Sequence, residues 1–229
     1  MLEDSIFTRT EKLLGEESLK KITSSAVAVF GLGGVGGTAF EALVRSGVGT
    51  IYAIDRDTFD VTNLNRQILG DLESIGKSKA LLAKDRASRI NPDAKVIPEI
   101  YSVNEASLKE HDYSSCSFLL DCMDDIPAKI ALIHLSIEKK IPLIISLGMG
   151  NRLDPSKVHL ERLDKTSGDP LAKKLRNELR KENVNLKDFM AVISSELPLV
   201  KDKKPTSLMM VPSAAGLLIA YYVISSLAK

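Results

Sequence analysis

Cysteine, histidine and tryptophan are scarce in this chain. Its 229 residues include two cysteines, three histidines and no tryptophan. A disulfide framework or a zinc site with two Cys-x-x-Cys pairs would need more cysteines than Cys116 and Cys122 can supply. The histidines lack any paired ligand spacing, so we assign them no chemistry. We therefore expect no zinc, and we interpret Cys122 as a small packing residue at the end of a strand.

Long hydrophobic runs and an excess of one charge are also missing. Lys and Arg number 31 and Asp and Glu number 30, so the bulk charge neither requires nor excludes a nucleic-acid partner. The N-terminus lacks a secretory signal, which together with the few cysteines favours a cytoplasmic location. The one strongly apolar segment, residues 211–228, is short for a membrane span of about 20 residues. We expect a buried or subunit-contacting helix there and no integral membrane span, with peripheral membrane association as the alternative.

Strand patterns alternate with helical spacing in the first two thirds of the chain. Strands are predicted at residues 26–30, 51–55, 95–100, 118–122 and 142–147, and helices at residues 38–44, 78–90 and 126–139. This alternation predicts a Rossmann-like α/β fold, in which helices cover both faces of a mainly parallel sheet.

The pattern changes after residue 150. Residues 157–163 alternate apolar and polar side chains, which predicts a half-exposed strand that could be antiparallel. A charged helix at 170–182 and a strand at 190–194 follow, and residues 198–212 are the best candidate for a mobile loop. We expect one domain over residues 1–229, with a nucleotide half at about 7–150 and a substrate and dimer half at about 151–229.

A glycine-rich loop follows the first predicted strand. Between a strand and a helix, such a loop lets backbone N–H groups and the helix N-terminus bind phosphate, although some of its glycines can serve close packing instead. The glycines that fit this use are Gly31, Gly33, Gly34 and Gly36. Asp55 ends the second strand, about 20 residues further on, where an acidic residue usually binds ribose hydroxyls. Asp57 could support Asp55 or lie near a metal, or it could simply stabilise the turn that follows the strand.

An NAD-dependent dehydrogenase would fit these features, but the next residues favour ATP. Arg66 and Lys79 add two cations and Asn63 a neutral donor, which suits the charge that shifts during attack at phosphorus. Asp124 follows the fourth strand at the carboxyl edge of the sheet, where a carboxylate can carry Mg²⁺ to a triphosphate. The adjacent Asp125 suits the N-cap of the following helix.

Together these motifs resemble the ubiquitin-activating-enzyme superfamily, whose bacterial members include adenylyltransferases of molybdopterin and thiamine biosynthesis. The resemblance covers about residues 7–147. It rests on Gly-x-Gly-Gly-Val-Gly at 31–36, Asp-x-Asp at 55–57, Thr-Asn-x-Asn-Arg-Gln at 62–67, Gly-Lys-Ser-Lys at 76–79 and Asp-Cys-Met-Asp-Asp at 121–125.

The resemblance implies roles for individual residues in an ATP and Mg²⁺ site. Arg66 and Lys79 would contact the triphosphate, Asn63 would orient it, Asp55 would hold the ribose and Asp124 the magnesium. Asp57 and Gln67 belong to the same expected nucleotide-binding set. Arg9 matches an arginine that family members insert into the neighbouring subunit's site, which implies a homodimer with Arg9 donated in trans. From the residues alone, Arg9 would be an N-terminal surface residue.

The second half resembles one subgroup, the tRNA threonylcarbamoyladenosine dehydratases. The matching segments are residues 163–181 and Val-Pro-Ser-Ala-Ala-Gly at 211–216, so the resemblance extends over nearly the whole chain. It implies tRNA as the partner and ATP-dependent cyclisation of a modified adenosine through activation of its carboxylate. Candidate tRNA contacts, which could equally be solvated surface charges, are Lys173, Lys174, Arg176, Arg180, Lys203 and Lys204.

Two other functions stay open at this point. The first is an adenylyltransferase that activates the C-terminal glycine of a ubiquitin-like sulfur-carrier protein, and the second is a nucleotide-sensing scaffold. A member that forms a thioester would need a cysteine downstream of the nucleotide half, and the chain has none after Cys122. The partners left open by the sequence include a sulfur-transfer or acceptor protein.

Overall fold

The computed structural model describes residues 5–200 and 206–229. Seven strands form one sheet. They are β1 (Ala26–Phe30), β2 (Thr50–Ile54), β3 (Lys95–Glu99), β4 (Phe118–Asp121), β5 (Leu143–Ser146), β6 (Val158–Arg162) and β7 (Met190–Ser194). The helices are α1 (Thr8–Leu14), α2 (Glu16–Ser24), α3 (Gly34–Ser46), α4 (Lys79–Ile90), α5 (Glu105–Lys109), α6 (Ile126–Lys139), α7 (Pro170–Lys181) and α8 (Met210–Leu227).

The strands lie in the order β3-β2-β1-β4-β5-β7-β6. All neighbouring pairs are parallel except β6 and β7, which are antiparallel. The predicted Rossmann-like fold, with a mainly parallel sheet and an antiparallel continuation, is therefore confirmed. Strands from both sides of residue 150 belong to this one sheet. In the register, Phe30 lies beside Ile54 on one side and beside Asp121 on the other, so the loops after β1, β2 and β4 leave from the same edge.

Alternation along β1 divides the core into two layers. Val27 and Val29 pack with α2, α3, α4 and α8, whereas Ala28 and Phe30 face the opposite side and pack with α5, α6 and α7. Because successive side chains of a strand point to opposite faces, one short apolar strand can serve both layers. This arrangement leaves the carboxyl edge of the sheet, where the loops meet, as the place for a ligand.

α8 completes the first layer. It packs along α3 and is wholly buried at Ala215, Ile219 and Val223, one residue on each successive turn. Of the residues that the structure describes, it is also the one helix long and apolar enough to cross a bilayer. Leu217 and Tyr221 face outward on its other side.

The structure differs from the sequence prediction mainly at helix boundaries. α3 begins inside the glycine loop at Gly34, four residues earlier than predicted, because helical hydrophobic spacing becomes visible only after the glycines. α1, α2 and α5 were not predicted. α1 and α5 are short, and α1 has no buried residue, so neither offers a long periodic pattern.

Candidate active site

The four predicted glycines have different surroundings. Gly31 has φ +89°, and a Cβ there would lie 2.9 Å from the carbonyl oxygen of Cys122. A Cβ at Gly36 would lie 1.8 Å from the carbonyl oxygen of Gly31. These two glycines therefore permit the close packing of the loop, β4 and α3. A Cβ at Gly33 would meet nothing nearer than Gln67 Nε2 at 3.8 Å, so packing alone does not require this glycine.

The glycine loop runs directly into α3, so the backbone N–H groups of the first helical turn lie in the loop. Gly33 occupies the N-cap position and has no side chain with which to cap the helix. The first N–H groups of a helix have no partner within the helix, and the N-terminus carries partial positive charge. Phosphate binding by this loop stays a prediction, and the free N–H groups at the start of α3 are compatible with it.

Asp55 is fixed beside this loop. Its side chain is largely buried; Oδ2 accepts a hydrogen bond from the N–H of Leu32 at 2.7 Å, and Oδ1 accepts one from the N–H of Asp57 at 2.8 Å. Each carboxylate oxygen retains a second lone pair that a hydroxyl group could use. The carboxylate therefore has a defined position next to the glycine loop.

Asp57 and Lys79 connect the second loop to α4. Lys79 Nζ lies 3.5 Å from Asp57 Oδ2, and the N–H of Lys79 donates to the carbonyl of Asp57 at 3.1 Å. Lys79 is only 6% exposed, and its ammonium lies 5.9 Å from the ring centre of Phe59. Asp57 is thus both part of the loop backbone and the counter-ion of this lysine.

A short turn presents Arg66 and Gln67. Asn63 closes the turn, since its Oδ1 accepts from the N–H of Asp60 at 3.2 Å. Arg66 Nη1 donates to the carbonyl of Thr62 at 2.8 Å and to Asn65 Oδ1 at 3.0 Å, so local contacts hold the guanidinium.

The backbone of this turn touches the glycine loop. The carbonyl oxygen of Arg66 would lie 3.4 Å from a Cβ on Gly34. Gln67 is nearly buried beside Gly33, and among the described residues its Oε1 has no hydrogen-bond partner. A buried amide oxygen without a partner is costly, so a ligand donor or a water is expected there.

Three carboxylates lie at the end of β4 and in the loop after it, and their surroundings differ. Asp121 is completely buried, and burial raises the pKa of its carboxyl although Lys129 and the N–H of Met123 favour the charged form. Asp125 caps α6 by accepting from the N–H of Ala128 at 3.0 Å, which confirms the predicted N-cap. Asp124 is exposed, and it makes no hydrogen bond or ion pair with the residues that the structure describes. It is the carboxylate of this loop that remains for a ligand.

Most of the predicted site residues lie around one edge. The loop after β4 packs on Gly31, the turn at 62–67 packs on Gly33 and Gly34, Asp55 bonds to Leu32, and Lys79 joins Asp57. Arg9 is the exception. The ring of Phe7 packs on Gly47 at the far end of α3, about 20 Å along that helix from the loop, and Arg9 is exposed nearby on α1.

Two structural features near these residues have no signal in the sequence. Buried Lys129 lies under the loop after β4, and an apolar helix gives no signal for a functional lysine. Asn151, in the left-handed region at φ +61°, accepts from the N–H and hydroxyl of Thr206, while Asn65 Nδ2 donates to the carbonyl of Ser207 at 2.8 Å. Residues 206–207 therefore join the loop after β5 to the turn after β2. No sequence spacing indicates such a tertiary connection.

Neither cysteine is placed as a nucleophile. Burial raises the pKa of the Cys116 thiol to about 12, and burial also raises the pKa of the Cys122 thiol. Reactive cysteines usually have a lowered pKa. The interpretation of Cys122 as a packing residue agrees with its contact with the glycine loop, since a Cβ on Gly36 would lie 2.9 Å from Cys122 Cβ.

Comparisons with known proteins agree with this architecture. The model described as "ThiF family" matches residues 7–228. The tRNA threonylcarbamoyladenosine dehydratase of Bacillus subtilis (strain 168) is 38% identical over 97% of this chain and 94% of its own length. A crystal structure of the E. coli tRNA N6-threonylcarbamoyladenosine dehydratase in complex with ATP superposes with a TM-score of 0.86, at 32% identity over 96% of this chain and 93% of that one. The molybdopterin-synthase adenylyltransferase of E. coli (strain K12) is 34% identical over 57% of this chain and 51% of its own length.

Proposed function

This chain belongs to the ThiF family, and on that premise we propose that it uses ATP to dehydrate threonylcarbamoyladenosine in tRNA. The observation that carries the proposal is the edge where the glycine loop, Asp55 and the turn bearing Arg66 meet, in a chain that matches a dehydratase over almost its full length. The adenylyltransferase relative matches only 57% of this chain, so it supports the alternative function less.

The proposed ATP site uses the predicted residues in distinct ways. The N–H groups at Gly33 and Gly34 would approach the phosphates, while Gly31 and Gly36 give the loop its shape. Asp55 would accept from the ribose hydroxyls. Donors to the triphosphate would be Arg66, Lys79, Asn63 and Gln67, and Asp57 would hold Lys79 until the nucleotide binds.

Magnesium fits the carboxylate that the loop after β4 leaves exposed. No cluster of three metal-binding side chains occurs in the described part of the chain. Mg²⁺ commonly binds through one or two carboxylates together with phosphate oxygens, so Asp124 alone is a sufficient protein ligand. When bound, the ion would neutralise charge on the phosphates, and Asp124 would fix where that neutralisation occurs.

In the proposed reaction, an oxygen of the threonyl carboxylate attacks phosphorus of ATP. The leaving group is pyrophosphate if AMP is transferred, or ADP if phosphate is transferred. A nitrogen or oxygen of the carbamoyl unit then attacks the activated carbonyl carbon and expels AMP or phosphate, and the ring closes with net loss of one water. Arg66 and Lys79 would stabilise charge at the phosphorus, so positioning and electrostatics suffice without a protein nucleophile.

We further propose that the enzyme acts as a homodimer in the cytoplasm. Arg9 follows Phe7, which packs at the end of α3 opposite the glycine loop, and its exposed side chain could enter the site of a second copy. The outward side chains of α8, Leu217 and Tyr221, are a candidate part of the contact. The buried face of α8 supports a role in the domain core rather than in a membrane.

α7 is the candidate contact for tRNA phosphates. Lys173, Lys174 and Arg180 are exposed along it, while Arg176 donates to Thr166 Oγ1 and is partly buried. Lys203 and Lys204 lie outside the described residues. Replacing Lys173, Lys174 and Arg180 by alanine should weaken tRNA binding and lower the slope of its salt dependence by about 0.7 to 0.9 for each phosphate that is no longer neutralised. An unchanged slope would exclude this face.

Mass spectrometry of tRNA nucleosides tests the proposed reaction directly. Incubation of threonylcarbamoyladenosine-containing tRNA with the protein and ATP should convert the modified nucleoside into a product that is lighter by one water. No conversion, combined with pyrophosphate exchange that depends on a ubiquitin-like protein, would favour the adenylyltransferase instead. ATP binding without consumption under either condition would favour the nucleotide-sensing scaffold.

A further inference from the structure

Lys129 is a completely buried lysine directly beneath the proposed catalytic loop. It lies in the first turns of α6, and side chains in a helix point back toward its N-terminus. Its Nζ therefore reaches the ends of two strands, where it donates to Asp121 Oδ1 at 3.0 Å and to the carbonyl of Ser146 at 2.7 Å.

The contacts of Asp121 extend from this ammonium into the loop. Asp121 Oδ1 also accepts from the N–H of Met123 at 3.1 Å. At the other end, Asp125 is tied to the start of α6 through Ala128. Both ends of the loop at 121–125 are thus fixed by side-chain hydrogen bonds, while Asp124 between them is exposed. The backbone on both sides of Asp124 is therefore held in place.

A contribution to stability does not by itself explain the buried ion pair between Lys129 and Asp121. Removing two charges from water is costly, and apolar side chains of similar size are often as stabilising as a buried ion pair. Asp121 Oδ2 even lacks a hydrogen-bond partner among the described residues. The pair is better explained by the geometry that it imposes on the loop.

We propose that Lys129 is a positioning residue, which fixes Asp121 and the backbone at Met123 so that Asp124 faces the magnesium on bound ATP. The inference rests on the proposed ATP site and on no property of the tRNA. Residues that do not touch a metal but hold its ligands in place are common around metal sites. Their replacement typically lowers metal affinity about 10- to 100-fold.

Calorimetric titration with ATP, with and without Mg²⁺, tests the proposal. We define magnesium coupling as the ratio of the ATP Kd without Mg²⁺ to the Kd with it. Lys129→Met should lower this coupling about tenfold or more and leave the Kd without Mg²⁺ near the wild-type value. Glu41→Gln is the matched control, because it disrupts another buried ionic contact, with Arg86 between α3 and α4, and should keep wild-type coupling.

Unchanged coupling in Lys129→Met, or an equal loss of affinity with and without Mg²⁺, would overturn the proposal. If the single variant does not fold, Asp121→Leu with Lys129→Met removes both charges and should fold without the coupling. A double variant that keeps the coupling, or that cannot fold, would assign the pair to stability instead. Failure of the proposed function itself looks different, since the wild-type protein would then show no ATP affinity or no coupling.

Discussion

The N–H of Leu32 donates to Asp55 Oδ2 at 2.7 Å and thereby joins the glycine loop to the end of the neighbouring strand. The bond is buried, and the second oxygen of the same carboxylate holds the N–H of Asp57. One side chain therefore sets the positions of two backbone segments and still has lone pairs for a ligand. Asp55, the predicted ribose contact, is thereby bonded to the glycine loop.

Replacement of Asp55 tests this double role. Asp55→Asn should weaken ATP binding by about 1.5–3 kcal/mol, the usual contribution of a hydrogen bond to a charged group, which is roughly 10- to 150-fold in Kd. Isothermal titration with ATP measures the change. Asp112→Asn is a control, because Asp112 is an exposed turn residue bonded to Ser114 outside the site. Equal affinities of the Asp55→Asn variant and the wild type would remove Asp55 from the ribose site.

Arg66 and Asp124 should be essential for turnover but not for folding. The side chain of Arg66 makes hydrogen bonds only within its own turn among the described residues, and Asp124 is exposed, so neither side chain supports the core. Arg66→Ala and Asp124→Ala should abolish tRNA dehydration while the free energy of unfolding changes by no more than about 0.5 kcal/mol. Nucleoside mass spectrometry and urea denaturation measure the two effects. Arg89→Ala on α4 controls for loss of surface charge, and wild-type cyclisation by either site variant would contradict its assigned role.

Features that depend on residues close together in the sequence could be predicted. The alternation of strands and helices along the chain predicted the parallel sheet. Each element could be recognised because burial of one or two of its faces sets the spacing of its apolar residues. Gly31 and Asp55 could be predicted because each follows a strand at a spacing fixed by the fold. The Asp125 cap could also be predicted, since a cap depends only on the three residues after it.

Contacts between distant segments could not be predicted in the same way. The partnership of Lys129 with the Ser146 carbonyl requires knowing that β4 and β5 are adjacent. The tie between Asn65 and Ser207 spans 142 positions and has no periodic or compositional signal. Sequence spacing also could not show which of the four glycines serve close packing. That requires the folded structure, in which backbone atoms lie close to Gly31 and Gly36 but not to Gly33.

Glu41 should make stability depend on pH in the acidic range. Burial raises the pKa of its carboxyl, but hydrogen bonds from Arg86 and Arg45 outweigh burial and hold the pKa below the ordinary value of 4.5. A lowered pKa in the folded state contributes stability above pH 4.5 that is lost as pH falls through the folded value. Glu41→Gln should therefore cost about 1.5–3 kcal/mol at pH 7, and less as the pH is lowered below 4.5. Urea denaturation at several pH values checks this, and a difference that is constant with pH would contradict it.

The cysteines should be dispensable for the reaction. Both thiols have a raised pKa, and Cys122 contacts the glycine loop through its Cβ, which alanine retains. A protein with Cys116→Ala and Cys122→Ala should keep ATP-dependent dehydration of tRNA in the nucleoside assay. Its ATP affinity serves as the control for an intact site. A folded, ATP-binding double variant without turnover would indicate covalent chemistry at a thiol.

Mixing two inactive variants tests whether Arg9 acts across a dimer. Lys79 is proposed to act in the ATP site of its own chain, whereas Phe7, two residues before Arg9, packs at the end of α3 opposite the glycine loop of that chain. Arg9→Ala and Lys79→Ala should each be inactive alone. If the partner supplies Arg9, a mixed dimer has one site with both residues intact, so equal mixing and subunit exchange should restore about one quarter of wild-type turnover. Mixing Lys79→Ala with Arg66→Ala is the control, because both residues belong to the same site and no mixed dimer would regain a complete one. Zero activity in the first mixture, with subunit exchange verified by mass spectrometry of the intact dimers, would show that Arg9 does not act in trans.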